Sequence, residues 1–130
     1  MKSLDNVTAS IVQWHHDKKI IDGATDWTQT EKMLEEFIEL VASQLPTATP
    51  EGISAQVCFM VRKLEKKGKI KTVERINAQA EKIDAVGDMF VVGINILERN
   101  EVSLETCLNG VYDIISKRSG KVVGGSFVKD

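Results

Sequence analysis

Residues 81–97 read EKIDAVGDMFVVGINIL, and the reading of this stretch decides the fold. Ile83, Val86, Phe90, Ile94 and Leu97 recur at intervals of three and four, which is the helical period. Val91-Val92-Gly93-Ile94 makes the same helix apolar nearly all round, and such a helix needs burial on several sides. The chain has 130 residues, one domain by size. A bundle that small supplies such burial poorly by itself, so helices packing in a dimer are expected. Val73 and Ile76 extend the period backwards, so residues 70–100 read as one long helix or a broken one.

Working outward, Leu4, Val7, Ile11 and Trp14 predict a first helix over residues 3–19, broken by Asp22-Gly23. Thr28 followed by Glu31 has the form of a capping box and starts a second helix. Met33, Phe37, Leu40 and Val41 give it one apolar face, and it ends before Pro46. Thr49 and Pro50 open a third helix with the stripe Ile53, Val57, Met60 and Leu64, closed by Gly68. Ser103 caps a fifth, carrying Leu104, Leu108, Val111 and Ile115. The tail KVVGGSFVKD, rich in glycine and β-branched residues, predicts a short hairpin or extended arm. The expected class is all-α: a four- to five-helix bundle over residues 1–130 with a short β-like C-terminal tail.

Composition narrows the function. Net charge is −2, so no basic excess marks a nucleic-acid polymer as partner, and Lys66, Lys67, Lys69 and Lys71 form only a local cluster. Cys58 and Cys107 form no CxxC pair and read as buried free thiols of a reducing cytosol. The first ten residues have no apolar core of a signal peptide, and the longest apolar run, 89–97, is about half a membrane span. Neither GxxxxGK[ST] nor GxGxxG occurs, so any phosphate must be met by metal and side chains.

Two acidic groups carry the functional reading. Glu36 and Glu39, three residues apart, project from one helix face and repel each other. Alone, such a pair is ordinarily a solvated face. Glu81, Asp84 and Asp88 form a second stripe running into the apolar segment, which puts Asp88 near the edge of the core. A carboxylate there needs a partner, and no lysine or arginine lies within one turn of Asp88. A cation between two acidic helices would serve. Magnesium takes oxygen ligands and binds through a few carboxylates, waters and substrate phosphates. Neither group has a histidine at helical spacing, which makes zinc or di-iron the weaker alternative. His15 and His16 are adjacent on a helix, point about 100° apart, and cannot chelate jointly.

With these motifs in view, the chain resembles the MazG-like, all-α nucleoside triphosphate pyrophosphatases, especially their short single-domain, phage-type forms. Trp27-Thr28-Gln29-Thr30 looks like the segment before the family's first acidic helix. Lys32 to Leu40 is similar to its EExxE motif, and Asp84-Ala85-Val86-Gly87-Asp88 to its ExxGD region. Residues 112–118 with Gly120-Lys121 look like its final N-x-x-K-x-R helix, so the resemblance spans about residues 14–127. It implies magnesium-dependent hydrolysis of a (deoxy)nucleoside triphosphate to monophosphate and pyrophosphate, with manganese able to substitute. It assigns Glu36, Glu39, Asp84 and Asp88 to the metal, with Glu35 or Glu39 orienting or deprotonating the water beside Asp88. Ala85 stands where the family has glutamate, so Asp84 takes that role one residue earlier. Lys117, Arg118 and Lys121 meet phosphate oxygens, and Trp14, Trp27 or Gln29 contact the base. Lys32 and Asp113, the latter in place of the usual asparagine, complete the substrate contacts. A homodimer or homotetramer in the cytoplasm, or in a host's if phage-encoded, is the implied setting. Two alternatives stand beside this: a related phosphoribosyl-ATP pyrophosphatase or dUTPase, and a non-catalytic helical dimerisation module. From the residues alone, Trp14 is core and Lys117 and Arg118 serve the helix dipole.

Overall fold

The computed structural model describes all residues, 1–130. It has six α-helices and one two-stranded antiparallel sheet: α1 (Leu4–Asp17), α2 (Ile20–Gly23), α3 (Asp26–Ser43), α4 (Pro50–Lys66), α5 (Ala78–Arg99), α6 (Leu104–Ile115), β1 (Gly120–Val123) and β2 (Ser126–Lys129). The expected all-α class with a short C-terminal hairpin is what the chain adopts. No helix is long and apolar enough to cross a membrane. The chain divides into two compact units, the first Met1–Thr25 with Arg75–Asp130, the second Asp26–Glu74.

In the first unit α1 packs along α6 and against α2. The Ser3 hydroxyl starts α1 by accepting the Asn6 amide at 3.2 Å, and Val7 is fully buried. Asn109 of α6 ties down the N-terminal segment in both directions: it accepts the Lys2 amide at 3.0 Å and donates to the Lys2 carbonyl at 2.9 Å. Ser103 caps α6 through the Thr106 amide at 3.1 Å. The hairpin turns at Gly124-Gly125, both at positive φ (60° and 83°), the conformation that two-residue hairpin loops require. Its register pairs Lys121 with Val128 and Val122 with Phe127. The hairpin docks on α2, where a Cβ on Gly23 would lie 2.9 Å from Val122 Cγ1, and Trp14 of α1 meets the Phe127 ring edge-on at 5.4 Å. Trp14 is thus a packing residue, although its buried indole N–H has no hydrogen-bond partner.

In the second unit α3 packs on α4. Thr49 caps α4, with its hydroxyl accepting the Gly52 amide at 3.1 Å and Pro50 in the first turn. Its C-terminus closes with the Gly68 amide donating to the Glu65 carbonyl at 3.0 Å and the Lys69 amide to the Leu64 carbonyl at 2.9 Å, the Schellman pattern. The same pattern ends α5, with Val102 donating to the Leu97 carbonyl, but there Glu101 rather than glycine holds the left-handed position at φ 60°.

Three local expectations are corrected, and the choice between a long and a broken helix over residues 70–100 is resolved. The second long helix begins at Asp26, so Thr28 lies inside its first turn and is no capping box; the Thr30 hydroxyl donates back to the Asp26 carbonyl at 2.7 Å. Asp26 puts a carboxylate at the helix start, where a negative charge suits the dipole. Asp22-Gly23 ends a four-residue helix instead of simply breaking the first one. The 70–100 segment is broken: irregular backbone gives way to a 3-10 turn at Arg75–Asn77 before α5. The helical spacing of Val73 and Ile76 there marks no core, since Ile76 is 92% exposed. Finally, Cys58 is exposed on α4 and Cys107 half-buried, though both are free as expected.

Candidate functional site

The best-defined acidic site lies on α3 of the second unit. Consecutive helical residues advance about 100°, so Glu36 and Glu39 share a face, as predicted. Partial burial, then the Glu39 charge and a side-chain hydrogen bond with Glu39, raise the Glu36 carboxyl above its ordinary 4.5; Lys32 opposes this and Glu35 adds to it. Both carboxyls are solvent-exposed on this face, and the nearness of Glu39 adds to the upward shift at Glu36. Lys32 is committed elsewhere: its ammonium donates to Glu35 at 3.1 Å, the (i, i+3) ion pair of this helix. That pair is half exposed and contributes little to stability, but it holds Glu35 beside Glu36.

Asp84 and Asp88 lie on α5 of the first unit, both exposed. The expectation that Asp88 sits at a core edge is corrected. The surrounding apolar residues are themselves open, with Phe90 55%, Val91 65% and Val92 59% exposed. Within its unit α5 touches only α6 and the 3-10 turn, so too little of its all-round apolar surface is wrapped to enclose Asp88. A carboxylate in water needs no counter-ion, and the physical argument for a cation at Asp88 lapses with its burial. Gly87 and Gly93 have open space where a Cβ would stand, so neither marks a close helix approach. No three His, Cys, Asp or Glu side chains gather into a metal-holding group.

The other anticipated residues are spread over both units. Trp27, Gln29 and Lys32 lie on the first two turns of α3, and Trp27 is 70% exposed, free to offer a ring face. Trp14 is occupied by the hairpin and by the His15 ring, 5.3 Å away, so the packing reading holds over the base-contact one. His15 uses Nδ1 on the Ile11 carbonyl at 3.0 Å, and His16 is exposed. Asp113 is exposed near the end of α6, Lys117 and Arg118 follow in the turn after it, and Lys121 is on β1.

Sequence reasoning missed one concave feature. An open cleft of about 740 Å³ lies in the first unit between the α1–α2 turn and the hairpin, with Lys18, Lys19 and Lys121 in its lining. The signal for Lys121 was its place after a Gly in the tail. Lys18-Lys19 carried none, because their position depends on a left-handed turn at Lys19 (φ 58°) that no local motif announces. Comparison with protein-family models, with curated proteins and with solved structures finds no match.

Proposed function

We propose that this chain is a magnesium-dependent hydrolase that cleaves a nucleoside triphosphate to the monophosphate and pyrophosphate. The single observation that carries the proposal is the Glu36–Glu39 carboxylate pair on one face of α3, with Glu35 one residue away. Mutual repulsion makes such a pair unfavourable for the bare protein and favourable for a divalent cation. Two carboxylates fit magnesium, which fills its remaining positions with water and substrate phosphate oxygens. When bound there, the ion supplies charge neutralisation of the triphosphate and a more acidic water. Glu36 and Glu39 hold it. Glu35, steadied by Lys32, orients the attacking water and accepts its proton. Exposed Trp27 is suited to stack on a base.

The remaining assignments rest on the likeness to MazG-like pyrophosphatases: Asp84 and Asp88 as further ligands, and Lys117, Arg118 and Lys121 as phosphate partners. The same likeness implies a cytoplasmic homo-oligomer. The open apolar surface of α5 from Met89 to Ile94 supports self-association, because exposed patches of this kind ordinarily mark interfaces. The test is pyrophosphate release from a panel of ribo- and deoxynucleoside triphosphates with magnesium, including dUTP and phosphoribosyl-ATP. Turnover of at least one substrate, lost in Glu36→Gln, is expected. Absence of turnover across the panel removes the hydrolase reading and leaves α5 as the face of a non-catalytic dimerisation module.

A further inference from the structure

We infer that the cleft between the α1–α2 turn and the hairpin is a binding site for a phosphate-bearing small molecule, held by Lys18, Lys19 and Lys121. The inference rests on the first unit alone; it shares Lys121 with the phosphate partners proposed above, but Lys117 and Arg118 lie outside the cleft lining and the carboxylates of α3 have no part in it.

Three elements converge on the cleft and each brings a lysine: Lys18 at the end of α1, Lys19 in the turn and Lys121 on β1. None of the three has a carboxylate within ion-pair distance. The two aspartates in the lining have other work. Asp17 accepts the Gln13 side-chain amide at 2.8 Å, and Asp22 sits in the first turn of α2, where a negative charge suits the dipole. Lys18 and Lys19 by themselves would be ordinary cations at a helix C-terminus. Lys121 has no helix to serve, and it faces the same space from across the cleft. Lys19 adds a conformational point. It occupies the left-handed region at φ 58°, where glycine or asparagine is the easier choice, so the backbone gives no reason for lysine there. The side chain does, if a ligand uses its charge. A volume near 740 Å³ suits a small organic phosphate and exceeds what one inorganic anion fills. The Gly23–Val122 contact fixes the two walls against each other.

The test is amide chemical-shift titration of the full chain with inorganic phosphate, pyrophosphate and a nucleoside monophosphate at constant ionic strength. Saturable shifts confined to residues 18–23 and 120–125 are expected. Tighter binding of the monophosphate than of phosphate identifies an organic phosphate as the source; equal binding identifies the free anion, and both support the site. Lys121→Ala should weaken binding by about tenfold, the scale of one lost charge-assisted contact. Lys19→Gly separates binding from folding: it should raise the melting temperature by relieving the left-handed strain while weakening binding by about tenfold. Linear shifts, shifts as large at Lys63–Lys71 as in the cleft, or wild-type affinity in both variants would overturn the inference.

Discussion

Replacing Gly23 by alanine sets two effects of opposite sign against each other. Gly23 is the last helical residue of α2, and helix propensity alone favours alanine over glycine by about 1 kcal/mol at an interior position, less at an end. The added Cβ, however, would lie 2.9 Å from Val122 Cγ1, 3.1 Å from its Cβ and 3.3 Å from its Cγ2. Rotating the valine does not relieve this, because both methyls are inside contact distance and turning χ1 exchanges one for the other. The hairpin must move off α2, and overpacking of this kind costs about 1–3 kcal/mol. Packing therefore wins by about 1 kcal/mol. For a chain of this length the melting temperature should fall by about 4 °C, followed by circular dichroism and by Trp14 fluorescence, since Trp14 rests on Phe127 of the same hairpin. Val122→Ala in the Gly23→Ala background should restore most of the loss, giving a coupling of about 1 kcal/mol in a double-mutant cycle. A Gly23→Ala protein that melts above wild type, or a coupling near zero, would show that the hairpin does not dock on α2 as described.

Three further outcomes follow from the same geometry. Glu101→Gly should stabilise the chain by about 1 kcal/mol in thermal melts, because the left-handed position after α5 strains any residue with a Cβ; a destabilised variant would mean that the Glu101 side chain makes a contact worth more than the strain. Phe90→Glu should convert a self-associated species to monomer in sedimentation velocity, and an unchanged sedimentation coefficient would remove α5 as the interface. Glu36→Gln should be more stable than wild type at pH 7 by about 0.2–0.5 kcal/mol, the scale of a like-charge helix pair on an exposed surface. The sign comes from the raised folded-state value: the fold prefers the protonated acid, so Glu36's contribution is full below its unfolded 4.5 and is lost as pH rises through the folded value. The advantage of Gln should vanish below about pH 4, and an advantage that persists in acid would contradict the upward shift at Glu36.

The features legible in the sequence were those with a local cause. Thr49 and Ser103 each predicted a helix start and each accepts an amide of its first turn, while the glycines of the tail set the hairpin turn. The misplaced features depended on tertiary context. Val73 and Ile76 keep a helical spacing through backbone that is not α-helical, because periodicity reports a pattern whether or not a helix packs under it. Asp88 was placed by apolar neighbours in sequence, yet those neighbours are themselves exposed on α5; Cys58 was read as buried from its residue type, yet it is exposed on α4. At the acidic site the (i, i+3) spacing of Glu36 and Glu39 was visible at once, since helix geometry alone brings those side chains together. The lysine cleft was not visible, since it needs the α1–α2 turn and the distant hairpin to meet.

Everything proposed for α3 turns on Glu36 and Glu39 together holding a divalent cation. Manganese titration followed by electron paramagnetic resonance, in the presence of a non-hydrolysable nucleoside triphosphate, tests it directly. Free manganese gives a sharp six-line signal that broadens on binding, and the signal of the free nucleotide complex is subtracted with a protein-free control. Saturable, protein-dependent loss of the free signal is expected in wild type, and at least about tenfold weaker binding in both Glu36→Gln and Glu39→Gln. Equal manganese binding by wild type and both variants would contradict it and leave the pair as two acids on a solvated helix face.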